Sequence, residues 1–191
     1  MNEDELAHLN ALIGAGMARH RAFAVLDGEI DESSAWVEQR IDTRGYELLG
    51  QSAEIWPNPA LAWDLSPASW HKAMDGMTAA DFAAAYPDVR LYEINRAKLE
   101  EVLASAARRV EGPFSESYRS KTSRLVAHLE AGQKVTPPFA MRTSAGWAFA
   151  GGYHRFGWAC HLELASMPIL ARAGEQAQLA SVVPSLREVL P

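Results

Sequence analysis

The sequence predicts an α+β protein, with a mostly helical first half and a second half in which strands and helices alternate. Three observations predict it. Residues 1–87 carry apolar positions near helical spacing and several helix caps. Residues 88–191 hold runs that alternate apolar and polar residues, separated by helical stretches. The charge changes at the same place: 14 acidic and 5 basic residues give −9 over 1–87, and 10 acidic and 13 basic give +3 over 88–191. The expected division is a helical extension over 1–87 packed on a main domain at 88–172, with a C-terminal tail at 173–191.

In the first half, Leu6, Leu9, Leu12 and Ile13 form an apolar stripe that predicts a helix over Glu3–Met17, weakened at its end by Gly14 and Gly16. Ala22–Leu26 reads as a short strand before an Asp27-Gly28 turn. Ser33 or Ser34 is placed to cap a helix running to about Leu49, with Gly50 past its end. Residues 51–66, with Pro57, Pro59, Trp56 and Trp63, read as an irregular segment pinned by buried tryptophans. Ser66-Pro67 predicts an N-cap followed by proline at the first helical position, and that helix stops at Gly76. Thr78 with Asp81 predicts a further capped helix ending before Pro87. The first half carries no chemical motif.

In the second half, Val89–Ile94 alternates as a half-buried strand does. Leu99, Val102, Leu103 and Ala106 follow at helical spacing until Gly112-Pro113 breaks the pattern. Ser120 reads as the cap of a helix over Lys121–Ala131, stopped at Gly132. A hairpin is predicted from strands Phe139–Thr143 and Trp147–Ala150, joined at Ser144-Ala145-Gly146. Two glycines and a helix from His154 to Leu164 come next, then a turn at Ser166-Met167-Pro168 and a last strand at Ile169–Ala171. One short helix is expected in the tail.

The chain of 191 residues is 48% hydrophobic and 22% charged, enough apolar material for a sizeable core. No stretch approaches the ~20 apolar residues that span a bilayer. The acidic start, Met1-Asn2-Glu3-Asp4-Glu5, is unlike the basic start of a signal peptide, so the cytoplasm is the expected compartment. A single cysteine, Cys160, excludes an internal disulfide framework and any zinc site built on paired cysteines. Cys160 itself reads as a small core residue. The net charge of −6 argues against a general nucleic-acid binder.

Chemistry concentrates in Trp147-Ala-Phe-Ala-Gly-Gly-Tyr-His-Arg-Phe-Gly-Trp-Ala-Cys, which reads strand, glycine turn, helix. Glycines permit positive φ and close approach of backbone to a ligand. The first turn of a helix presents N–H groups without intrahelical acceptors and a partial positive charge. Together they form an anion site before any side chain is counted. Arg155 adds a fork of donors matched to phosphate oxygens, and His154 a hydrogen-bond donor or proton carrier near neutral pH.

The run from Gly132-Gln-Lys-Val-Thr-Pro-Pro-Phe-Ala through the hairpin, Gly151-Gly152-Tyr153-His154-Arg155, Ala159–Leu164 and Met167-Pro168-Ile169-Leu170 resembles the ParB N-terminal domain and sulfiredoxin superfamily over residues 88–172. The resemblance implies a ParB/sulfiredoxin-like domain in which the His-Arg pair contacts nucleotide phosphates, helped by polar residues at the preceding helix, here Ser120, Lys121, Thr122 and Arg124. Members of that superfamily include sulfiredoxins, CTP-hydrolysing partition proteins, free-serine kinases and proposed nucleases. Two departures narrow the set. Tyr153 stands where a sulfiredoxin carries its nucleophilic cysteine, and Cys160 lies two helical turns further on, so sulfiredoxin chemistry is excluded. About twenty residues follow Arg172, too few for the helix-turn-helix of a partition protein.

The implied site therefore comprises Gly151, Gly152, Tyr153, His154, Arg155, Ser120, Lys121 and Arg124 as phosphate ligands, with His154 and Glu116 as candidate catalytic groups. Glu93 is a further carboxylate near the motif in sequence. The implied cofactor is a nucleoside triphosphate, ATP or CTP, with Mg²⁺ arriving on the nucleotide; no protein metal site is expected. The leading expectation is phosphoryl transfer or hydrolysis. The alternatives are a non-catalytic plasmid, phage or partition accessory module that binds a protein partner through 1–87, and a DNA-contacting nuclease-like factor.

Overall fold

The computed structural model describes residues 1–104 and 111–189. The chain forms two compact units, Met1–Trp56 and Pro57–Pro191. The division thus falls after Trp56 instead of after residue 87. Residues 57–87 belong to the second unit because their partners are there. The Asp64 N–H donates to the Val135 carbonyl at 2.9 Å, and the Val135 N–H to that of Ala62 at 2.8 Å. Ala73 and Phe82 share a core with Val89, Leu91, Phe139 and Leu170. Composition could not reveal those pairings, because they join residues far apart in sequence.

The first unit holds three helices: α1 (Glu3–Gly14), α2 (Arg19–Leu26) and α3 (Glu32–Leu49). A capping box opens α1, with the Glu5 N–H donating to Asn2 Oδ1 and the Asn2 N–H to Glu5 Oε2. The strand expected at Ala22–Leu26 is helix α2. An unbroken apolar run of that length carries no period of its own, and the flanking Arg19–Arg21 extend it to two turns. Leu9, Leu12, Met17, Ala22 and Ala35 form the core. Asp31 caps α3 in place of Ser33 or Ser34. Both serine hydroxyls and the Ser34 N–H donate to the Asp31 carboxylate, holding it well below the usual carboxylate range.

Arg21, 7% exposed, is the buried charge of this unit. Its guanidinium donates to Asp42 at 2.6 Å and to Gln39 at 3.3 Å, and lies 3.6 Å from Glu38, all three on α3. A buried cation is tolerated only with partners of this kind, so this cluster fixes α2 against α3. Eleven acidic and four basic residues leave residues 1–56 at −7, more acidic per residue than the rest of the chain.

The second unit opens with a 3-10 helix at Pro67–Ala73, shorter than the helix expected to reach Gly76 and without a side-chain cap at Ser66. Helix α4 (Ala79–Ala85) follows, capped as expected by the Thr78 hydroxyl accepting from the Asp81 N–H. Next come β1 (Val89–Asn95) and α5 (Arg96–Val102), the latter capped by the Asn95 side chain. Ala106, expected in this helix, lies outside the described residues. Helix α6 (Glu116–Glu130) starts a full turn earlier than expected, so Ser120 is a mid-helix residue and not a cap. Gly112-Pro113 breaks the chain early enough to leave room for that extra turn, and Ser115 takes the cap position.

The hairpin strands β2 (Phe139–Thr143) and β3 (Gly146–Gly151) lead into α7 (Tyr153–His161), then β4 (Ser166–Arg172), α8 (Gln176–Val182) and β5 (Arg187–Glu188). The strands make one sheet in the order β3-β2-β4-β1-β5. β1 pairs antiparallel with β4 and β5, β2 antiparallel with β3, and β2 parallel with β4 at Phe139 and Leu170. The protein is therefore α+β. Strand β4 is longer than expected, since Ser166–Pro168 pair with Asn95–Glu93 instead of turning. One core, built from Tyr92, Ile94, Leu99, Phe149, Phe156, Ala159 and Ile169, joins α5 and α7 to the sheet. No helix among the described residues is long and apolar enough to cross a membrane.

Replacing Asp42 with Ala leaves the buried Arg21 charge short of its nearest carboxylate. Urea unfolding is expected to show a loss on the order of 3 kcal/mol in the first unit, and the paired change of Arg21 to Met with Asp42 to Leu to recover most of it.

Candidate functional site

The β3–α7 junction is built from two glycines, each required for a different steric reason. Gly152 is the N-cap of α7 at φ 96°, a left-handed conformation that glycine adopts without penalty. A Cβ there would sit 2.6 Å from Pro138 Cα. At Gly151 a Cβ would sit 1.9 Å from the Ala73 carbonyl oxygen. The glycines therefore let three backbone segments meet: the end of the 3-10 helix, the approach to β2, and the start of α7.

Arg155 ties those same segments. Its guanidinium donates to the Thr136 carbonyl and, at 3.2 Å, to the Ala73 carbonyl. Burial pushes the group down to about 10, with the Asp75 charge opposing, and it remains a cation at neutral pH. Thr136 and Ala73 are 4% and 1% exposed, so water is a poor alternative partner for either carbonyl. The fork expected to meet phosphate is turned into the protein, beneath the helix start.

A cavity of about 260 Å³ lies along the outer face of α7. Tyr153, His154, Cys160 and His161 of α7 line it, with Tyr118 of α6 and Glu100 of α5. Positions 153, 154, 160 and 161 share a face because seven residues make about two turns, so the cavity follows roughly 10 Å of helix. At the helix start the Tyr118 and His154 rings meet at 5.9 Å and 69°. Further along, His161 packs edge-on to Phe114 at 4.9 Å and is tilted against Trp158 at 4.8 Å.

The far end is polar and organised. Arg96 donates to the Leu164 carbonyl at 3.1 Å and to Glu100 Oε2 at 2.7 Å. The Cys160 Sγ lies 3.6 Å from Arg96 and 3.9 Å from Glu100 Oε2. Burial pushes the Cys160 thiol up, partly offset by the Arg96 hydrogen bond. A protonated thiol beside a carboxylate is a weak donor and a poor nucleophile.

The residues expected to act together separate into three groups. Tyr153 and His154 line the cavity. Gly151, Gly152 and Arg155 form the scaffold under its near end. Ser120, Lys121, Arg124 and Glu116 are exposed along α6 and are not among the cavity-lining residues. Lys121 lies 3.7 Å from Asp75, both highly exposed. Thr122, expected among the polar helpers, does line the cavity; it is buried there and donates to the Pro113 carbonyl at 2.7 Å. Glu93 is held low by the Ser166 hydroxyl and by Arg187, its cross-strand neighbour. Sequence reasoning missed Glu100, Tyr118, Cys160 and His161 as cavity residues. The seven-residue spacing from Tyr153 to Cys160 was a usable signal for two of them. Nothing local marks Glu100. Among the described residues no cluster of His, Cys, Asp and Glu is placed to hold a metal ion.

No family model matches the chain, and no curated protein matches it. Among solved structures it is similar to the Oncogenic Suppression Activity Protein, a plasmid fertility inhibition factor, in its gold(I) cyanide derivative. The two are 20% identical, the match covers 79% of this chain and 87% of that one, and the TM-score is 0.40. A likeness of this size transfers neither fold family nor function.

Two outcomes follow from the junction. Gly151 to Ala is expected to destabilise the second unit by about 1–3 kcal/mol or more, since backbone cannot yield to a contact that short. Arg155 to Ala is expected to cost about 1–3 kcal/mol by stranding two buried carbonyls, with Lys a partial substitute that cannot span both. Denaturant titration without any ligand checks both, and an unchanged midpoint for Arg155 to Ala would refute the clasp.

Proposed function

We propose that residues 57–191 form a nucleotide-binding module of the ParB/sulfiredoxin-like kind, with the ligand lying in the cavity along α7. The observation that carries the reading is the coincidence of the cavity with the first turn of a helix that starts at a left-handed glycine. The order of hairpin, Gly-Gly turn, helix and strand accords with the resemblance. The positive end of α7 suits phosphate, and the rings of Tyr118 and His154 suit a flat base or a sugar face. A volume of about 260 Å³ falls below the ~300–1,000 Å³ of ligand pockets, so it fits a nucleoside portion only, with the phosphates emerging toward Lys121. ATP or CTP with its own Mg²⁺ remains the expected ligand class.

Binding is better supported than turnover. Arg155 is committed to backbone carbonyls, and Glu116 stands outside the cavity lining. A regulatory or accessory role, with the acidic unit 1–56 as the partner-binding element, accords with that geometry. Phosphoryl transfer would have to recruit His154 or Glu100.

Isothermal titration of ATP, CTP, GTP and ADP with and without Mg²⁺ tests the reading. His154 to Ala, which removes a stacking ring, is expected to weaken binding by about tenfold. Lys121 to Ala is expected to weaken it about threefold at low salt and less at high salt. Wild-type protein that binds none of the four nucleotides at millimolar concentration would refute the proposal. Product formation by wild type that His154 to Ala abolishes would move the conclusion from binding to catalysis.

A further inference from the structure

Five of the described residues that line the cavity bear aromatic or imidazole rings: Tyr118, Tyr153, His154, Phe156 and His161. Among the described lining residues none is a lysine or an arginine, and the one carboxylate, Glu100, offers an anion nothing. Packing holds the rings. Tyr118 meets His154 at 5.9 Å and 69°, and Tyr153 stands perpendicular to Phe149 at 5.4 Å. Phe156 is tilted on Phe149 at 4.9 Å, and His161 is edge-on to Phe114 at 4.9 Å. Rings fixed in this way lose little freedom when a flat ligand settles against them. The cations of the motif lie elsewhere. Arg155 is turned to the Thr136 and Ala73 carbonyls, and Lys121, exposed on α6, has Asp75 3.7 Å away.

We infer that the cavity recognises the nucleoside and that the phosphates add little to binding. The inference rests on the nucleotide reading above and narrows it: the ligand class is nucleosides and their phosphates, whatever the phosphate number. Magnitudes decide this. Stacking one base on an aromatic ring is worth on the order of tenfold in affinity. An exposed lysine beside a carboxylate, or a helix start, is worth about threefold. The volume of about 260 Å³ points the same way, since it holds the nucleoside and leaves phosphates in solvent. The module therefore reads the presence of a nucleoside-bearing ligand and stays occupied when a triphosphate is cut to a diphosphate. That separates it from a switch set by hydrolysis, which needs different affinities for the two.

The test is isothermal titration of two series, adenosine, AMP, ADP and ATP, and cytidine, CMP, CDP and CTP, with and without Mg²⁺ and at low and high salt. Within each series that binds, the wild-type affinities are expected to agree to within about threefold. His154→Ala is expected to weaken nucleoside and triphosphate by the same factor of about ten. Lys121→Ala is expected to weaken the triphosphate about threefold at low salt and to leave the nucleoside unchanged. A rise of tenfold or more from nucleoside to triphosphate would overturn the inference while leaving nucleotide binding standing. A His154→Ala effect confined to the triphosphate would also overturn it. No binding of any member of either series at millimolar concentration would instead defeat the nucleotide reading itself, and this inference with it. The wild-type series decides the matter even if His154→Ala fails to fold, which its melting curve would reveal.

Discussion

The second unit depends on the clasp that Arg155 makes on the carbonyls of Thr136 and Ala73. A guanidinium is costly to bury, and here it meets carbonyl dipoles where a carboxylate would be the usual partner. Those carbonyls belong to the approach to β2 and to the end of the 3-10 helix. The clasp therefore holds two otherwise irregular segments to the start of α7. The glycines at 151 and 152 are the other half of the same constraint, because any side chain there would push those segments away. With the junction fixed, α7 leaves the sheet at one angle, and its inner face meets the core through Phe156 and Ala159.

That fixed angle creates the cavity. Phe156 and Ala159 of α7 are in the core and Tyr153 and Cys160 stand at its edge, and Tyr153, His154, Phe156, Cys160 and His161 line the gap between α7, α5 and α6. The gap is polarised by simple means. The helix start, with the Tyr118 and His154 rings, lies at one end and the Arg96-paired Glu100 carboxylate at the other. The Arg155 guanidinium beneath the helix start adds to its positive potential.

The first unit solves a similar problem by different chemistry. Arg21 is buried more fully than Arg155, and Asp42 and Glu38 neutralise it within an acidic three-helix unit. One arginine is a salt-bridge node between α2 and α3, and the other is a backbone staple. The residue type does not say which.

Much was legible in the sequence. Capping and period identified α1, α3, α4 and the β2–β3 hairpin, because caps, turns and apolar stripes are set by neighbours within four residues. The same local chemistry marked Gly151 and Gly152 as a strand–helix junction with α7 following it. Local signals failed where two readings were locally equivalent. Ala22–Leu26 satisfied either helix or strand, and the cap position of α6 fell to Ser115, whose hydroxyl makes no cap hydrogen bond, instead of Ser120. The domain boundary, the inward turn of Arg155, and the meeting of Glu100 with Tyr153 and His154 were decided by tertiary structure alone. Each depends on groups dozens of residues apart that are brought together by sheet order and burial, and no spacing along the chain records which carbonyl a buried guanidinium will find.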